Sequence, residues 1–168
     1  MTSQERVLLP TGPPTILVVD DELSIVKLCK ALLEESGFRV LEAEGSSEAL
    51  KICTHHDGAI DLLLTDLVLP PPGFQLASSS NQFPHVNGHE LAIRATMIRS
   101  GLRIILMSGN PDRELVGHGI KRGTLPFLAK PFEREKLIAL VQNVLAQPAP
   151  TLAVENRPNA ANDTEWFG

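Results

Sequence analysis

Four short apolar runs recur along this chain, and each stops at an acid, a hydroxyl or a lysine: ILVV before Asp20-Asp21, LLLT before Asp66, IILM before Ser108 and FLA before Lys130. Apolar runs of roughly four to eight residues that alternate with longer helical stretches specify βαβ units, whose parallel strands are covered by helices on both faces. Parallel strands share one carboxyl-terminal edge, and in open sheets ligands bind in the crevice beyond it. The pattern therefore predicts that Asp20, Asp21, Asp66, Ser108 and Lys130 meet in one pocket.

Periodicity places strands over 15–20, 38–43, 60–65, 102–107 and 125–129. Helices fall over 22–36, 46–56, 88–99 and 133–146. A short helix separates the last two strands, with Asn110 as its cap, Pro111 at its first position, and Asp112 and Glu114 at its positive end. Five β/α units result. Residues 1–14 form a Pro-rich lead-in, 15–146 one domain, and 147–168 a tail expected to be disordered for want of any sustained period. Trp166-Phe167 in that tail is a candidate docking point, with a plain frayed terminus as the alternative. No second helical cluster follows that could act as a DNA-binding output domain, so a single-domain protein is expected.

With 15 Lys+Arg against 20 Asp+Glu and no dense basic stripe, direct nucleic-acid binding is not expected. Cys29 and Cys53 lie in helical stretches, which suits reduced thiols packed as small apolar groups. No zinc spacing, signal core or membrane-length apolar run is present, and a soluble cytoplasmic protein is expected. His55-His56-Asp57 looks like a metal tract, but histidines at a helix end are explained by the helix dipole.

Three carboxylates in one pocket repel one another and recruit a cation. Mg²⁺ takes one or two carboxylates, keeps several waters and completes its shell with phosphate oxygens, which suits a site that holds a transferable phosphoryl group. Lys130 can pair with Asp66 at rest and with a phosphoryl oxygen afterwards, while the Ser108 hydroxyl binds another oxygen. Asp66 is left as the nucleophile that forms an aspartyl phosphate. The alternative role for Asp20, Asp21 and Glu22 is to cap the first helix.

VVDDE at 18–22, LLLTDLVLP at 62–70, MSG at 107–109 and FLAKPF at 127–132 together resemble the receiver domain of two-component response regulators over residues 15–146. The resemblance implies a flavodoxin-like (βα)5 doubly wound parallel sheet of order 2-1-3-4-5. It implies that Asp66 accepts a phosphoryl group from a histidine kinase or histidine phosphotransfer protein. Mg²⁺ would be contacted by the carboxylates of Asp21 and Asp66, by Asp20 through water, and by the backbone carbonyl of Val68. Ser108 and Phe127 match the family's switch positions, which remodel a surface read by a downstream protein target.

The chain departs from the family pattern at two places. Family members reach an Asn/Asp-Gly pair soon after the equivalent of Pro70, whereas here Asn87-Gly88 follows an apparent insertion at 71–86. Its Phe74, Leu76 and Phe83 could dock over the crevice or onto a partner, or the insertion could be a tolerated surface loop. Ser108-Gly109 replaces the commoner Thr-Ala, keeps the hydroxyl and is similar to receivers of hybrid kinases, which hints at a phosphorelay. A phosphatase of the haloacid dehalogenase type would need an acid where Val68 stands, and a dinucleotide site would need glycines where Asp20-Asp21-Glu22 stand. No cofactor beyond Mg²⁺ is expected. The chain is thus read as a phosphorylation-dependent switch that catalyses only its own phosphorylation and dephosphorylation, the alternative being a receiver-like interaction module that works without phosphorylation.

Overall fold

The computed structural model of the chain describes residues 12–69, 86–117 and 125–150. Five strands and five helices alternate: β1 (Thr15–Val19), α1 (Leu23–Glu35), β2 (Arg39–Ala43), α2 (Ser46–His55), β3 (Leu62–Asp66), α3 (Gly88–Ile98), β4 (Arg103–Ser108), α4 (Pro111–Gly117), β5 (Phe127–Ala129) and α5 (Arg134–Leu145). All pairings are parallel, in the order β2-β1-β3-β4-β5. Residues 71–85 of the insertion, the Trp166-Phe167 pair and most of the lead-in and tail lie outside the described residues.

Alternate strand residues feed two separate cores. Leu17, Val19, Leu63, Ile104 and Leu106 pack with Leu50 and Cys53 of α2, Leu91 and Ala95 of α3, and Leu115 of α4. Ile16, Val18, Leu62, Leu64, Ile105 and Met107 pack with Val26, Cys29 and Leu33 of α1 and Leu137 and Val141 of α5. Burial on both faces is why the central strands read as unbroken apolar runs. The same arrangement makes the sheet doubly wound, as expected.

Element ends differ from the sequence pattern for local reasons. β5 begins at Phe127 because Pro126 has no N–H to give the ladder, although its carbonyl still accepts from Leu106 N–H at 3.0 Å. The serines at 46 and 47 do not cap α2. Gly45 is its N-cap, while Glu48 accepts from Glu44 N–H at 2.9 Å and Ser46 Oγ accepts from Val86 N–H at 2.8 Å. His55 sits in the last turn of α2 and His56 is its C-cap, the dipole placement expected of them.

Candidate functional site

Register brings the strand ends level. Val19 pairs with Thr65, Asp66 with Met107, and Ser108 with Ala129. The ladder then extends one step, with Asp20 N–H donating to Ala43 at 3.3 Å, Leu67 N–H to Met107 at 2.8 Å and Lys130 N–H to Ser108 at 2.8 Å. Asp20, Asp66, Ser108 and Lys130 therefore leave the sheet side by side, where β1 and β3 run to opposite halves of it. That is the topological switch point at which ligands of such sheets bind.

Lys130 Nζ lies 2.9 Å from Asp20 Oδ2 and 3.3 Å from Asp66 Oδ2. The expected Lys130–Asp66 pair is thus one half of a bridge whose shorter arm goes to Asp20. Asp20 is fully buried, and its second oxygen accepts from Glu22 N–H at 2.9 Å. It fixes the turn into α1, whereas Glu22, the N-cap, makes no side-chain cap bond. Asp21 is exposed at the mouth of the crevice, and carboxylate oxygens of Asp20, Asp21 and Asp66 all lie within 4.8 Å of one another. Val68 N–H donates to Asp66 Oδ1 at 3.3 Å, so the Val68 backbone turns back over the acid, its side chain exposed.

The charges do not balance, and the consequence falls on Asp66. Burial, and then the neighbouring Asp20 carboxylate, push its pKa up to about 6 against the opposing pull of Lys130 and the Val68 N–H. Burial drags the Lys130 ammonium down, but its hydrogen bond to Asp20 and the charges of Asp66 and Asp20 outweigh that and hold its pKa above the ordinary lysine value. Three carboxylates facing one ammonium in an all-oxygen cluster fit a hard divalent cation. Beneath the site, burial and Asp20 push the Cys29 thiol up to about 12, which leaves it an inert packing group.

Ser108 is fully buried; its Oγ donates to the Glu114 carboxylate and accepts from Asn110 N–H at 3.0 Å. Phe127 is half-buried against the core that contains Leu106 and Leu115. Besides the Lys130–Asp20 arm, two contacts at the site carry no signature in the sequence. From the sequence Glu114 reads only as a charge favourable to the helix dipole, because its bond to Ser108 depends on the pitch of a single helical turn. Gly88 stands out in the sequence only by its displaced position, yet it touches the loop after Asp66 directly: its N–H donates to Leu67 at 2.9 Å, and Asn87 Oδ1 caps α3 by accepting from Glu90 N–H at 2.8 Å.

Comparison with known proteins agrees with this geometry. A family model described as the response regulator receiver domain matches residues 16–142. The DNA-binding transcriptional regulator NtrC of Azospirillum brasilense is 30% identical over 140 residues, which is 83% of this chain and 26% of that protein. A response regulator receiver domain protein from Clostridium thermocellum is 28% identical with a TM-score of 0.62, covering 79% of this chain and 94% of that one. The response regulator TrrA of Thermotoga maritima, solved in complex with Mg²⁺ and BeF, is 26% identical with a TM-score of 0.57, covering 78% and 98%. The chain spans between 26% and 60% of the length of the curated relatives it matches. Among the described residues no helix is long and apolar enough to cross a membrane.

Proposed function

The chain belongs to the response regulator receiver family of two-component signalling, and from that premise we propose that Asp66 accepts a phosphoryl group from a phosphohistidine on a histidine kinase or phosphotransfer protein. The observation that carries this reading is the convergence of Asp66, the Asp20-Asp21 pair, Lys130 and Ser108 at one sheet edge. An Asp66 oxygen attacks phosphorus in line as the P–N bond breaks, and the departing imidazole keeps the electron pair and takes up a proton. Lys130, already 3.3 Å from Asp66, shifts onto a phosphoryl oxygen. The Ser108 hydroxyl turns to another.

Asp21 and Asp66 would hold Mg²⁺ through their carboxylates, Asp20 through water and Val68 through its carbonyl; the clustering of the three carboxylates supports a cation here, as does TrrA having been solved with Mg²⁺ and BeF. When bound, the ion would supply positive charge against the phosphoryl oxygens. Phe127 then turns further into the core beside Leu106, and the altered surface is read by a downstream protein. The protein turns over no external metabolite and catalyses only its own phosphorylation and dephosphorylation. We place the exchange in the cytoplasm, which two free, buried cysteines favour.

The test is incubation with Mg²⁺ and phosphoramidate. An acid-stable, base-labile adduct that Asp66→Ala abolishes is expected. Absence of any adduct on the wild-type chain would leave a receiver-like interaction module that works without phosphorylation.

A further inference from the structure

Ser108 has one proton to give, and Glu114 holds it. The Oγ of the buried Ser108 donates to the Glu114 carboxylate while accepting from Asn110 N–H at 3.0 Å, so both of its roles are already used. A phosphoryl oxygen on Asp66 needs that same proton. It also brings negative charge toward the half-buried Glu114 carboxylate, and like charges repel. The two states exclude each other.

Glu114 lies on the short helix α4. Of the seven residues of α4, Leu115 is the buried one. The helix starts where Asn110 C=O accepts from Glu114 N–H at 2.9 Å, and the Asn110 N–H is itself bound to Ser108. Ser108 therefore grips both ends of the first turn of α4, through the Asn110 amide and the Glu114 carboxylate.

We propose that Glu114 is a positioning residue, a latch that keeps the Ser108 hydroxyl turned away from Asp66 and ties the first turn of α4 to the unphosphorylated state. This rests on Asp66 being the phosphoryl acceptor. Acceptance breaks the Ser108–Glu114 bond, and the freed α4 is the moving part. The side chain thus slows phosphorylation by competing for the donor and couples the chemistry to the helix that reports it.

The experiment measures phosphoramidate-driven phosphorylation of the full chain with Mg²⁺, together with hydrogen exchange of amides 111–117 before any donor is added. Glu114→Ala is expected to raise the phosphorylation rate by about tenfold, the worth of one charge-assisted hydrogen bond. Glu114→Gln, which keeps an acceptor oxygen without the charge, should give a smaller rise. In a Ser108→Ala background Glu114→Ala should change nothing. Glu114→Ala and Ser108→Ala should each speed exchange over 111–117, and the double variant no further. An unchanged or lower rate in Glu114→Ala, an equal effect with and without Ser108, or additive exchange would each overturn the latch. Absence of any adduct on the wild-type chain would instead overturn the acceptor reading, and the latch with it.

Discussion

Gly88 lies against the main chain of Asp66 so closely that a β-carbon at position 88 would stand 2.0 Å from the Asp66 carbonyl oxygen and 2.8 Å from Leu67 Cα. Both neighbours are backbone, so neither can swing aside. Glycine is required here by space, and it lets the capped first turn of α3 seat on the acceptor loop. Gly88→Ala is therefore expected to cost about 3 kcal/mol, at the upper end for overpacking. Urea denaturation reads the loss, and phosphorylation should slow with it because the Asp66 backbone must shift. A variant with wild-type stability would show that α3 does not press on Asp66.

Asp66 should make the protein less stable as pH rises. Its folded pKa of about 6 lies above the ordinary value of 3.8, so the folded state binds the proton more tightly than the unfolded chain. The group's contribution is then most favourable at low pH, declines between about pH 4 and pH 6, and stays flat above that. Without Mg²⁺, Asp66→Asn removes the decline and should be the more stable protein at pH 7, by about 1–2 kcal/mol after allowance for the compensating Lys130. Other carboxylates titrate in the same window, so the measurement is the difference between variant and wild type in paired urea melts at pH 4.5 and 7. A difference that does not grow with pH would remove the claimed repulsion.

The parts of this molecule that could be read in advance are those fixed by repetition along the chain. Ile16 to Val19 or Leu62 to Leu64 are apolar at every position because both sheet faces are covered, and the residue that ends each run sits at the same edge. That made Asp20, Asp66, Ser108 and Lys130 legible as a group. Contacts set by three-dimensional closeness were not legible. Lys130 bridges to Asp20 across 110 positions as well as to Asp66, Glu114 reaches back one helical turn to Ser108, and Gly88 meets Asp66 across the insertion. No local pattern encodes those distances. Side-chain bonds at the helix starts are likewise set by nearness in space: Ser46 Oγ accepts from Val86 N–H 40 positions on, and Asp20 takes the Glu22 N–H.

Arg99 ends α3 but secures the end of α2. Its guanidinium donates to the carbonyls of Cys53 and Gly58 at 2.8 Å each and to that of His56, thereby satisfying acceptors that the end of α2 leaves open. Arg99→Ala should cost about 2 kcal/mol, a figure reduced because the group is partly solvated. Arg99→Lys should recover less than half, since an ammonium cannot span three carbonyls in one plane. Thermal melts of the two variants decide this. Equal midpoints for Arg99→Lys and wild type would mean charge, and not the fork of donors, is what matters.

Mg²⁺ should stabilise the fold through Asp21 while leaving the metal-free protein nearly indifferent to that residue. Asp21 is exposed and part of the carboxylate cluster, so Asp21→Ala without metal should change stability by less than about 0.5 kcal/mol. With Mg²⁺ at ten times its dissociation constant, linkage adds about 1.4 kcal/mol to the wild type, or roughly 4 °C in the melting midpoint. The variant should gain far less. Because Asp66 must be ionised to hold the cation and its pKa is raised to about 6, the Mg²⁺ increment should shrink as pH falls from 7.5 toward 5. Magnesium titrations followed by melting give the increment at each pH. An increment that is the same in Asp21→Ala as in wild type, or that does not shrink in acid, would separate cation binding from this trio of carboxylates.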